Sequence, residues 1–414
     1  MKRFFLLLAA CVLSGAADAK TTKMRYRLSI PEGSGRAWAV VRDMPADAGG
    51  ATVYLLDGRR HRIEIPSQLD DLDGDGRFDE LVFPVTFGAE RTLTVQVDYS
   101  TDPVAHDYKP LVNAQMWWKN PDKTLAEKRQ LASQKDDMYH KLHHHGPAFE
   151  SEYAAYRVYF DKKQSIDTYG KKQPRLELRE TMWYPTDEQL TAGYGHDNLR
   201  VFGTVSVGTL KGWNPAKRRA EHIVGMRRRE ATIRACGPLR TVVDMRVEGW
   251  NYGGREIDLT SRYILYGGGS VVKAENYVSG PDADSLLFAT GVMKMRGDST
   301  SVRRCGDCRL MQTVGCDYPE NDTLRWERET VGLAVWLPER CVASQIDDAG
   351  SYLCQVHPVG GRIDYWFVMG WRKSAFAGGA DMNPYEAFVA NYTAPGSSRE
   401  GNRPYPEVRV ERLK

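Results

Sequence analysis

Hydrophobic and polar residues alternate in short runs along the first hundred residues of the chain. A two-residue period predicts β-strands with one buried face, and the Gly, Asp and Pro residues between the runs predict tight turns. The predicted strands span residues 24–30, 37–42, 52–56, 62–65, 80–85 and 92–99. Short strands at such close intervals are typical of a β-sandwich, so we expect a small N-terminal β-sandwich over residues 20–103.

The chain from residue 104 to residue 414 predicts a second, larger β domain. Residues 125–142 contain no Gly or Pro and are rich in Ala, Lys, Glu and Gln, which predicts a helix. A closing helix is expected over residues 384–392, with Pro384 in its first turn. The remaining predicted strands span residues 156–160, 199–207, 231–235, 241–249, 258–266, 271–277, 332–337, 352–357 and 362–370. Strands in succession without intervening helices favour antiparallel sheets, so the expected fold is mainly β: a small sandwich and then a large antiparallel one with few helices.

The N-terminus has the pattern of an export signal. Lys2 and Arg3 precede an apolar stretch, and Ala17-Asp18-Ala19 offers small residues at a cleavage site. We therefore expect residues 1–19 to be a signal peptide and the mature protein to be periplasmic or secreted. Cys11 lies in a lipoprotein-like context, but cleavage there would leave a very short signal, so a lipid-anchored form is the less favoured alternative. No later segment is apolar over the length that a membrane span requires.

The composition is that of an ordinary globular protein, with 42% hydrophobic and 27% charged residues. The formal net charge of +3 gives no field that would favour nucleic acid as a partner. Two basic runs, residues 217–219 and 227–229, suit either anionic glycans or a solvated sheet edge. The 21 Tyr and 10 Trp suit sheets, and aromatic faces also stack on sugar rings.

Six cysteines remain if Cys11 leaves with the signal peptide. An even number in an oxidising compartment favours disulfides. The Cys305-Gly-Asp-Cys308 spacing is compatible with a metal or redox pair, but the second such pair that a zinc site needs is absent. The six are Cys236, Cys305, Cys308, Cys316, Cys341 and Cys354.

An acidic loop offers a candidate calcium site. Asp71, Asp73, Asp75 and Asp79 alternate with other residues around glycines, as oxygen ligands do in short calcium loops. The pattern fails at its twelfth position, where Val82 stands in place of a bidentate Glu. A structural calcium ion and a metal-free acidic hairpin are therefore both open interpretations.

A cluster of polar residues lies where the predicted helix ends and strand alternation resumes. It contains His145, Glu150, Arg157, Asp167 and Tyr169. Strand alternation allows Arg157 to project from a sheet face into a cleft. Each residue singly could form a surface ion pair or a helix cap, but the cluster as a whole favours a functional site.

Further candidates lie outside this cluster. The glycine-flanked loop of residues 191–198 contains Tyr194 and His196, and loops at sheet ends often carry binding residues. Tyr194, Asp167 and Trp213 are candidates for substrate binding, and Lys294 is a candidate second cation. Motifs of serine hydrolases, nucleotide-binding enzymes and zinc peptidases are absent from the sequence.

Several segments together resemble one protein family. The most specific begins with His145-Gly-Pro, continues through Glu150-x-Glu152-Tyr153-x-Ala155-Tyr156-Arg157 and ends at Ser165-Ile-Asp167-x-Tyr169-Gly170-Lys171. Similar segments are residues 69–76 and 79–83, Gly193-x-Gly195-x-Asp197, Val207-Gly-Thr-Leu, Gly237-Pro-x-Arg240 and Ala289-Thr-Gly291-x-x-Lys294. They cover nearly the whole mature chain and resemble a secreted family of unknown function in saccharolytic bacteria, associated with polysaccharide-utilisation systems.

This resemblance implies that the large domain is a supersandwich like that of galactose mutarotase and several polysaccharide lyases. It also implies activity on uronate-containing oligosaccharides, for which a dehydratase activity is associated with proteins of this general kind. The cysteines and the basic runs are not part of the resemblance, so the substrate of this chain can differ.

The favoured function is a periplasmic enzyme that acts on uronate-containing oligosaccharides by proton abstraction and elimination, as a lyase or a dehydratase. Elimination requires a cation for the uronate carboxylate, a base for the neighbouring C–H and an acid for the departing oxygen. Arg157 suits the first role, His145 or His196 the second, and Tyr169 or Tyr194 the third. The expected partner is an anionic oligosaccharide, and this chemistry requires no cofactor.

Two alternatives remain open. One is an epimerase-like or hydrolytic enzyme that uses Glu150 and a histidine as its acid–base pair. The other is a non-catalytic glycan-binding protein with Trp and Tyr platforms and calcium as a structural element.

Overall fold

The computed structural model of the protein describes residues 19–31, 35–56, 61–374, 388 and 407–414. Antiparallel strands form most of it, which confirms the predicted fold class. The strands are β1 (Thr21–Ser29), β2 (Gly35–Val41), β3 (Gly50–Leu56), β4 (Arg62–Ile65), β5 (Gln68–Asp70), β6 (Glu80–Phe87), β7 (Thr92–Ser100), β8 (Val112–Gln115), β9 (Trp117–Lys119), β10 (Leu125–Glu127), β11 (Gln130–Ser133), β12 (Ala148–Ser151), β13 (Ala154–Val158), β14 (Ile166–Gly170), β15 (His196–Asp197), β16 (Lys211–Asn214), β17 (Arg219–Glu221), β18 (Arg228–Cys236), β19 (Arg240–Tyr252), β20 (Arg255–Tyr266), β21 (Val272–Ser279), β22 (Phe288–Met293), β23 (Arg296–Cys305), β24 (Cys308–Asp317), β25 (Glu329–Pro338), β26 (Val342–Asp347), β27 (Ser351–Val356), β28 (Arg362–Trp371) and β29 (Arg409–Leu413). Within the described ranges, the α-helices with both ends defined are α1 (Leu178–Thr181) and α2 (Asp187–Thr191), and single 3-10 turns span Tyr139–Lys141, Ala283–Ser285 and Glu339–Cys341.

The N-terminal sandwich packs two sheets face to face. One has the strand order β29-β1-β7-β3-β4 and the other β2-β6-β5. Alternation along β1 turns Tyr26 and Leu28 into the core, where they join Val53, Phe83 and Val97. Strand β29, which the sequence analysis assigned to the large domain, pairs with β1 and so returns the chain to the first sandwich.

The large domain is an antiparallel supersandwich. Its nine-stranded sheet has the order β11-β18-β19-β20-β21-β28-β25-β24-β23. Two five-stranded sheets, β15-β14-β13-β12-β8 and β17-β16-β22-β27-β26, pack against it and share one hydrophobic core with it. Among the described residues, no helix is long and apolar enough to cross a membrane.

The predicted helix over residues 125–142 is wrong. The segment contains β10, β11 and the 3-10 turn Tyr139–Lys141. Strand β11 pairs with β18 at the edge of the nine-stranded sheet, and its exposure alternates with a two-residue period. Helix propensity is a weak preference, and pairing with a long strand overrides it here. Of the predicted closing helix over residues 384–392, only Phe388 belongs to the described residues.

The predicted disulfides are not present in the described part of the chain. The thiols instead join the packing of separate elements. Cys236 Sγ in β18 lies 3.2 Å from the backbone nitrogen of Ala114, and Cys316 Sγ in β24 lies 3.4 Å from Thr330 Oγ1. An even number of cysteines therefore did not indicate pairing in this fold.

A buried arginine joins the small sandwich to the large one. Arg240, at the start of β19, is 1% exposed and donates from Nε to Asp70 at 2.7 Å and from Nη2 to Glu80 at 2.6 Å. Burial alone would raise the pKa of Glu80, but Arg240 and Arg42 lower it below its usual value. The Glu80 carboxylate therefore stays ionised beside Arg240.

We expect Arg240→Ala to lower the free energy of unfolding by about 3–5 kcal/mol, because it leaves the buried Asp70 carboxylate without its cation and Glu80 with only the exposed Arg42. Urea denaturation measures the change. Arg246→Ala is the matched control, since its guanidinium is 46% exposed and its ion pair should contribute less than about 1 kcal/mol. An Arg240→Ala loss as small as that of the control would contradict the assigned role.

Candidate active site

A cleft with a volume of about 390 Å³ opens beside the sheet β15-β14-β13-β12-β8, and we call it the first cleft. Residues of β13, β14 and β15 line it together with residues from the segments 139–145, 199–202 and 319–322. Its polar and aromatic lining residues are Tyr139, His145, Arg157, Tyr159, Lys163, Asp167, Tyr184, Asp197, Arg200, Phe202, Glu320, Asn321 and Asp322. The first cleft therefore combines aromatic faces with titratable groups.

Strand register brings Arg157, Asp167 and Asp197 together. Arg157 in β13 lies opposite Asp167 in β14, and Tyr169 further along β14 lies opposite Asp197 in β15. Arg157 donates to Asp167 Oδ2 from Nε at 3.0 Å and from Nη2 at 2.6 Å. Arg157 Nη2 also donates to Asp197 Oδ2 at 3.0 Å. Two residues that the sequence analysis selected, Arg157 and Asp167, thus lie in one site.

The Arg157 guanidinium is buried between two acidic groups. It is 4% exposed, and its central carbon lies 4.4 Å from the ring centroid of Trp183. Trp183 Nε1 donates to Asp197 Oδ2 at 3.1 Å. Burial and the neighbouring Asp167 raise the pKa of Asp197 well above its usual range, although Arg157 opposes the rise. Asp197 therefore protonates more readily than an ordinary carboxyl group.

His145 enters the first cleft from a strained backbone. Its φ of 68° lies in the left-handed region, which residues other than glycine rarely adopt. At the following Gly146, a Cβ would lie 1.8 Å from the backbone oxygen of Val158, so the close approach of β13 requires glycine. Tyr139 stacks on the imidazole with 3.6 Å between the ring centroids. Strain of this kind persists only where neighbours fix it, and it clusters at functional sites.

His145, Tyr184 and Arg157 form a hydrogen-bonded chain. His145 Nδ1 lies 2.9 Å from the backbone oxygen of Tyr139, and since that oxygen only accepts, the imidazole proton is assigned to Nδ1. Nε2 then carries a lone pair, 3.1 Å from the Tyr184 hydroxyl. The same hydroxyl accepts from Arg157 Nη1 at 3.1 Å. The proton of Tyr184 is therefore directed at His145.

The environment keeps this pair neutral. Burial and the nearby Arg157 charge lower the pKa of His145 to about 3. Burial raises the pKa of Tyr184, although Arg157 acts in the opposite direction. At neutral pH the cleft therefore holds a neutral imidazole base beside a protonated phenol.

Two predicted catalytic residues, Glu150 and Tyr169, lie behind the first cleft. The Glu150 carboxylate is fully buried, binds Lys171 Nζ and accepts from the backbone nitrogens of Glu177 and Leu178 at 2.8 and 2.9 Å. These nitrogens begin α1, so Glu150 caps the helix. The Tyr169 hydroxyl lies 2.9 Å from Glu177 Oε2. We interpret both as positioning residues.

Helix α1 connects the Glu150 cap at its start to the first cleft at its end. It ends in two left-handed residues, Met182 with φ of 51° and Trp183 with φ of 76°. The turn places the Trp183 ring beside Arg157 and the Tyr184 hydroxyl between Arg157 and His145. The start and the end of α1 are thus both fixed by buried charged groups.

His196 is buried next to the site but does not line the first cleft. It is 4% exposed, and its ring lies 4.6 Å from that of Trp326 and 5.0 Å from that of Trp371. Its Nε2 is 3.5 Å from Glu329 Oε1. Burial lowers the pKa of His196, although Glu329 opposes this. His196 therefore has no direct access to a ligand in the cleft.

The other predicted binding residues lie elsewhere. The Tyr194 hydroxyl contacts Glu180, outside the first cleft. Trp213 is 6% exposed and packs in a separate hydrophobic group. Lys294 Nζ is bound to Asp347 at 2.6 Å.

Several lining residues were missed as site candidates by the sequence analysis. Asp197 stood in the predicted loop, and its position two residues after Gly195 was the available signal. Tyr184 gave no periodic signal, because an irregular turn places it. Lys163, Arg200 and Phe202 lie in connecting segments, where side-chain direction does not follow a simple period.

The acidic loop brings three of its four predicted ligands together. Oxygen atoms of Asp71, Asp73 and Asp79 lie within 4.8 Å of one another. Asp75 is outside this group, and its carboxylate accepts from the backbone nitrogen of Arg77 at 2.8 Å. A calcium ion at this loop stays a prediction from the sequence.

We expect added Ca²⁺ to raise the melting temperature, because a cation that binds only the folded loop offsets the repulsion among three carboxylates. Asp73→Asn should abolish the effect, and Asp102→Asn, an exposed carboxylate outside the loop, should leave it intact. Thermal melts with calcium and with a chelator measure this. Melting curves that do not respond to calcium would contradict the metal interpretation.

The fold and the first cleft define a mainly β protein with a candidate acid–base site. The chain belongs to the family described as domain of unknown function (DUF4861), which matches residues 43–395. The predicted membership of a family without an assigned function is therefore confirmed. No curated protein matches the chain.

Two solved structures align with most of the chain at low similarity. One is a protein of glycosyl hydrolase family 38 from Enterococcus faecalis, with 7% identity and a TM-score of 0.43 over 95% of this chain and 47% of that one. The other is an alpha-mannosidase from Enterococcus faecalis V583, with 7% identity and a TM-score of 0.41 over 95% of this chain and 46% of that one. The chain spans about half the length of these two proteins. Likeness at this level does not define what this chain does.

Proposed function

We propose that the protein is an enzyme that acts on uronate-containing oligosaccharides by proton abstraction and elimination, as a lyase or a dehydratase. The observation that supports the proposal is the Tyr184 hydroxyl, which hydrogen-bonds both the neutral His145 Nε2 and Arg157 Nη1 in the first cleft. A phenol in this position can pass its proton to the imidazole while the guanidinium stabilises the phenolate. Elimination requires such a base next to an acidic C–H bond.

The proposed step transfers one proton across the substrate. The proton of Tyr184 passes to His145 Nε2, and the phenolate takes the proton from the carbon beside the uronate carboxylate. The C–O bond at the next carbon breaks, a C=C bond forms, and the departing oxygen takes the proton from Tyr184. His145 then returns its proton to Tyr184. The departing oxygen belongs to the next sugar in a lyase and leaves as water in a dehydratase.

In this proposal, a bound substrate raises the pKa of the His145 imidazole. In the free site, burial and Arg157 lower the pKa of His145 to about 3, which opposes its protonation. A uronate carboxylate bound nearby adds negative charge, and a nearby negative charge raises the pKa of an imidazole. Binding of the proper substrate therefore favours the proton transfer that begins the reaction.

The cation that meets the uronate carboxylate is assigned to Lys163 and not to Arg157. The Arg157 guanidinium already binds Asp167, Asp197 and Tyr184. Lys163 lines the first cleft, is 26% exposed and lies 3.2 Å from Asp161, its acidic partner among the described residues. Lys163 therefore has fewer acidic partners than Arg157 and is the more available cation for a substrate carboxylate.

Aromatic residues at the first cleft suit a sugar ligand. Phe202 lines the first cleft and is 55% exposed, and Tyr184 is 39% exposed. Exposed aromatic faces of this kind stack on the apolar faces of sugar rings. Stacking contributes binding energy for a sugar ring but does not depend on which bond of the sugar reacts. The exposed aromatic residues therefore suit a carbohydrate substrate in elimination and in hydrolysis alike.

Hydrolysis of a glycosidic bond is the second candidate function. Asp167 and Asp197 share the Nη2 atom of Arg157, and burial raises the pKa of Asp197 above that of an ordinary carboxyl group. Glycoside hydrolases use a pair of carboxyl groups in which one is protonated and the other ionised. In this alternative Asp197 is the acid and Asp167 its partner, in place of the pair of Glu150 and a histidine expected from the sequence.

We expect Tyr184→Phe to lower kcat by about 10²–10⁴-fold on uronate oligosaccharides, because it removes the proton-transfer group. Product mass reports the reaction: unsaturated fragments or loss of a water mark elimination, and cleavage with gain of a water marks hydrolysis. Tyr194→Phe, which removes a hydroxyl outside the first cleft, should keep wild-type turnover. Hydrolytic products that depend on Asp197 but survive Tyr184→Phe would move the assignment to hydrolysis.

We expect kcat/KM to stay level between about pH 5 and pH 8, because this ratio reports the free enzyme and the uronate carboxylate is ionised throughout that range. His145 acts as a base, and its pKa of about 3 keeps the basic form present over the whole interval. A profile of initial rates at low substrate concentration measures this. An acidic limb with an apparent pKa near the ordinary histidine value of 6.5 would contradict the lowered pKa of His145 on which this expectation rests.

A further inference from the structure

A second cavity with a volume of about 570 Å³ adjoins the first cleft, and we call it the basic cavity. Six of its lining side chains are ionisable: Lys162, Lys217, Arg219, Glu221, His222 and Asp348. The predicted basic run over residues 217–219 contributes two of them. This run therefore belongs to a cavity wall as well as to the surface.

The two cavities share a wall made of consecutive residues. Lys163 lines the first cleft and Lys162 the basic cavity, and Phe202 lines the first cleft while Gly203 lines the basic cavity. Consecutive Cα atoms are about 3.8 Å apart, so the two sites are neighbours on the scale of a sugar ring. An extended oligosaccharide can therefore contact both at once.

Phe202 stands at the junction of the two cavities. It is 55% exposed and has a φ of 45°, in the left-handed region. The Arg200 guanidinium lies 5.1 Å from the centroid of the Phe202 ring, but the ring stays largely in water and a bulky side chain at positive φ is unfavourable. A sugar ligand that crosses the junction can stack on the Phe202 ring, which is a functional reason for holding the ring in this exposed position.

In the described part of the chain, three positively charged side chains of the basic cavity have no hydrogen-bond or ion-pair partner, whereas its two carboxylates do. Within the described part of the chain, the exposed side chains of Lys162, Lys217 and Arg219 form no hydrogen bond or ion pair. The Glu221 carboxylate accepts from Asn214 Nδ2. The Asp348 carboxylate accepts from the backbone nitrogens of Ala220 and Gly350 at 3.2 and 2.9 Å. The groups left to meet a ligand are therefore mainly positive.

A buried lysine lies behind the same wall. Lys211 is fully buried, and its Nζ donates to the backbone oxygen of Gly203 at 2.8 Å. Burial lowers the pKa of Lys211 to about 7. An anion in the basic cavity would favour the charged form of this lysine, which adds to the attraction.

We propose that the basic cavity holds an anionic group, a carboxylate or a sulfate ester, on the sugar ring adjacent to the ring in the first cleft. The proposal rests on the proposed function, because it assumes that an oligosaccharide occupies the first cleft. It goes further by requiring a second charge on the substrate, one ring away from the reacting uronate. Lys162 and Arg219 are the direct partners of this charge.

The test measures how the affinity depends on the charge of the ligand and on the charges in the basic cavity. Calorimetric titration in the Tyr184→Phe background measures Kd for three ligands: a uronate oligosaccharide, its carboxyl-reduced form with only the terminal uronate retained, and that reduced form bearing a sulfate ester. We expect an added anionic group to improve affinity about tenfold at low salt, and less at high salt because exposed charges are screened. Lys162→Gln combined with Arg219→Gln should remove this preference. The ligand that loses affinity in this double variant identifies carboxylate or sulfate.

A matched control separates local from overall charge. Lys23→Gln with Arg25→Gln removes the same two charges from exposed positions of β1 in the N-terminal sandwich, and it should keep the preference intact. Equal affinities of the charged and reduced ligands for the parent protein, or a preference that survives in the cavity variant, would overturn the proposal. Thermal melts establish that both double variants remain folded.

Binding and turnover report on different proposals. If the wild-type enzyme converts the oligosaccharide but the cavity variant keeps the charge preference, the basic cavity is refuted and the proposed function stands. If no oligosaccharide is converted but the charge preference exists and disappears in the cavity variant, the proposed function fails and the basic cavity stands as a binding site.

Discussion

A buried guanidinium is the constraint on which the site depends. Moving a charge out of water costs on the order of several kcal/mol unless acceptors surround it. Arg157 meets this condition with carboxylates from two strands and hydroxyl groups of Tyr159 and Tyr184. These acceptors belong to β14, β15, the residue after β13 and the turn after α1. Satisfying one charge therefore fixes several chain segments around one cleft.

A second buried ion pair, Glu150 with Lys171, lies behind the first cleft and also fixes neighbouring chain segments. The side chains of Glu150 and Lys171 have no exposed surface, and the carboxylate also caps α1. The turn after α1 reaches Arg157 through Tyr184, so the two buried charge systems are joined by one short helix. The position of the Tyr184 hydroxyl is consequently determined at both ends of α1, without contact between Glu150 and a ligand.

Much of the fold, and part of the site, followed from local patterns in the sequence. Strand alternation predicted the sheets and allowed Arg157 to project from a sheet face, because both depend on a two-residue period. The pairing that places Asp167 opposite Arg157 came from the structure. The helix over residues 125–142 failed because pairing with β18 outweighed composition. Tyr184 was beyond such reasoning, since two left-handed residues place it, and only a folded core can hold them there.

The distribution of hydrogen-bond donors separates the two candidate chemistries. Asp167 Oδ2 accepts from Arg157 and from the Tyr159 hydroxyl, and Oδ1 accepts from the backbone nitrogen of Thr168. The lone pairs of this carboxylate are already engaged by protein donors, so it is poorly placed to attack a substrate. His145 Nε2 lies 3.1 Å from the Tyr184 hydroxyl, and Tyr184 lines the cleft and is 39% exposed. The Tyr184–His145 pair therefore faces a bound substrate, whereas the oxygens of Asp167 are engaged by protein donors, which favours proton abstraction from a substrate over attack by a carboxylate.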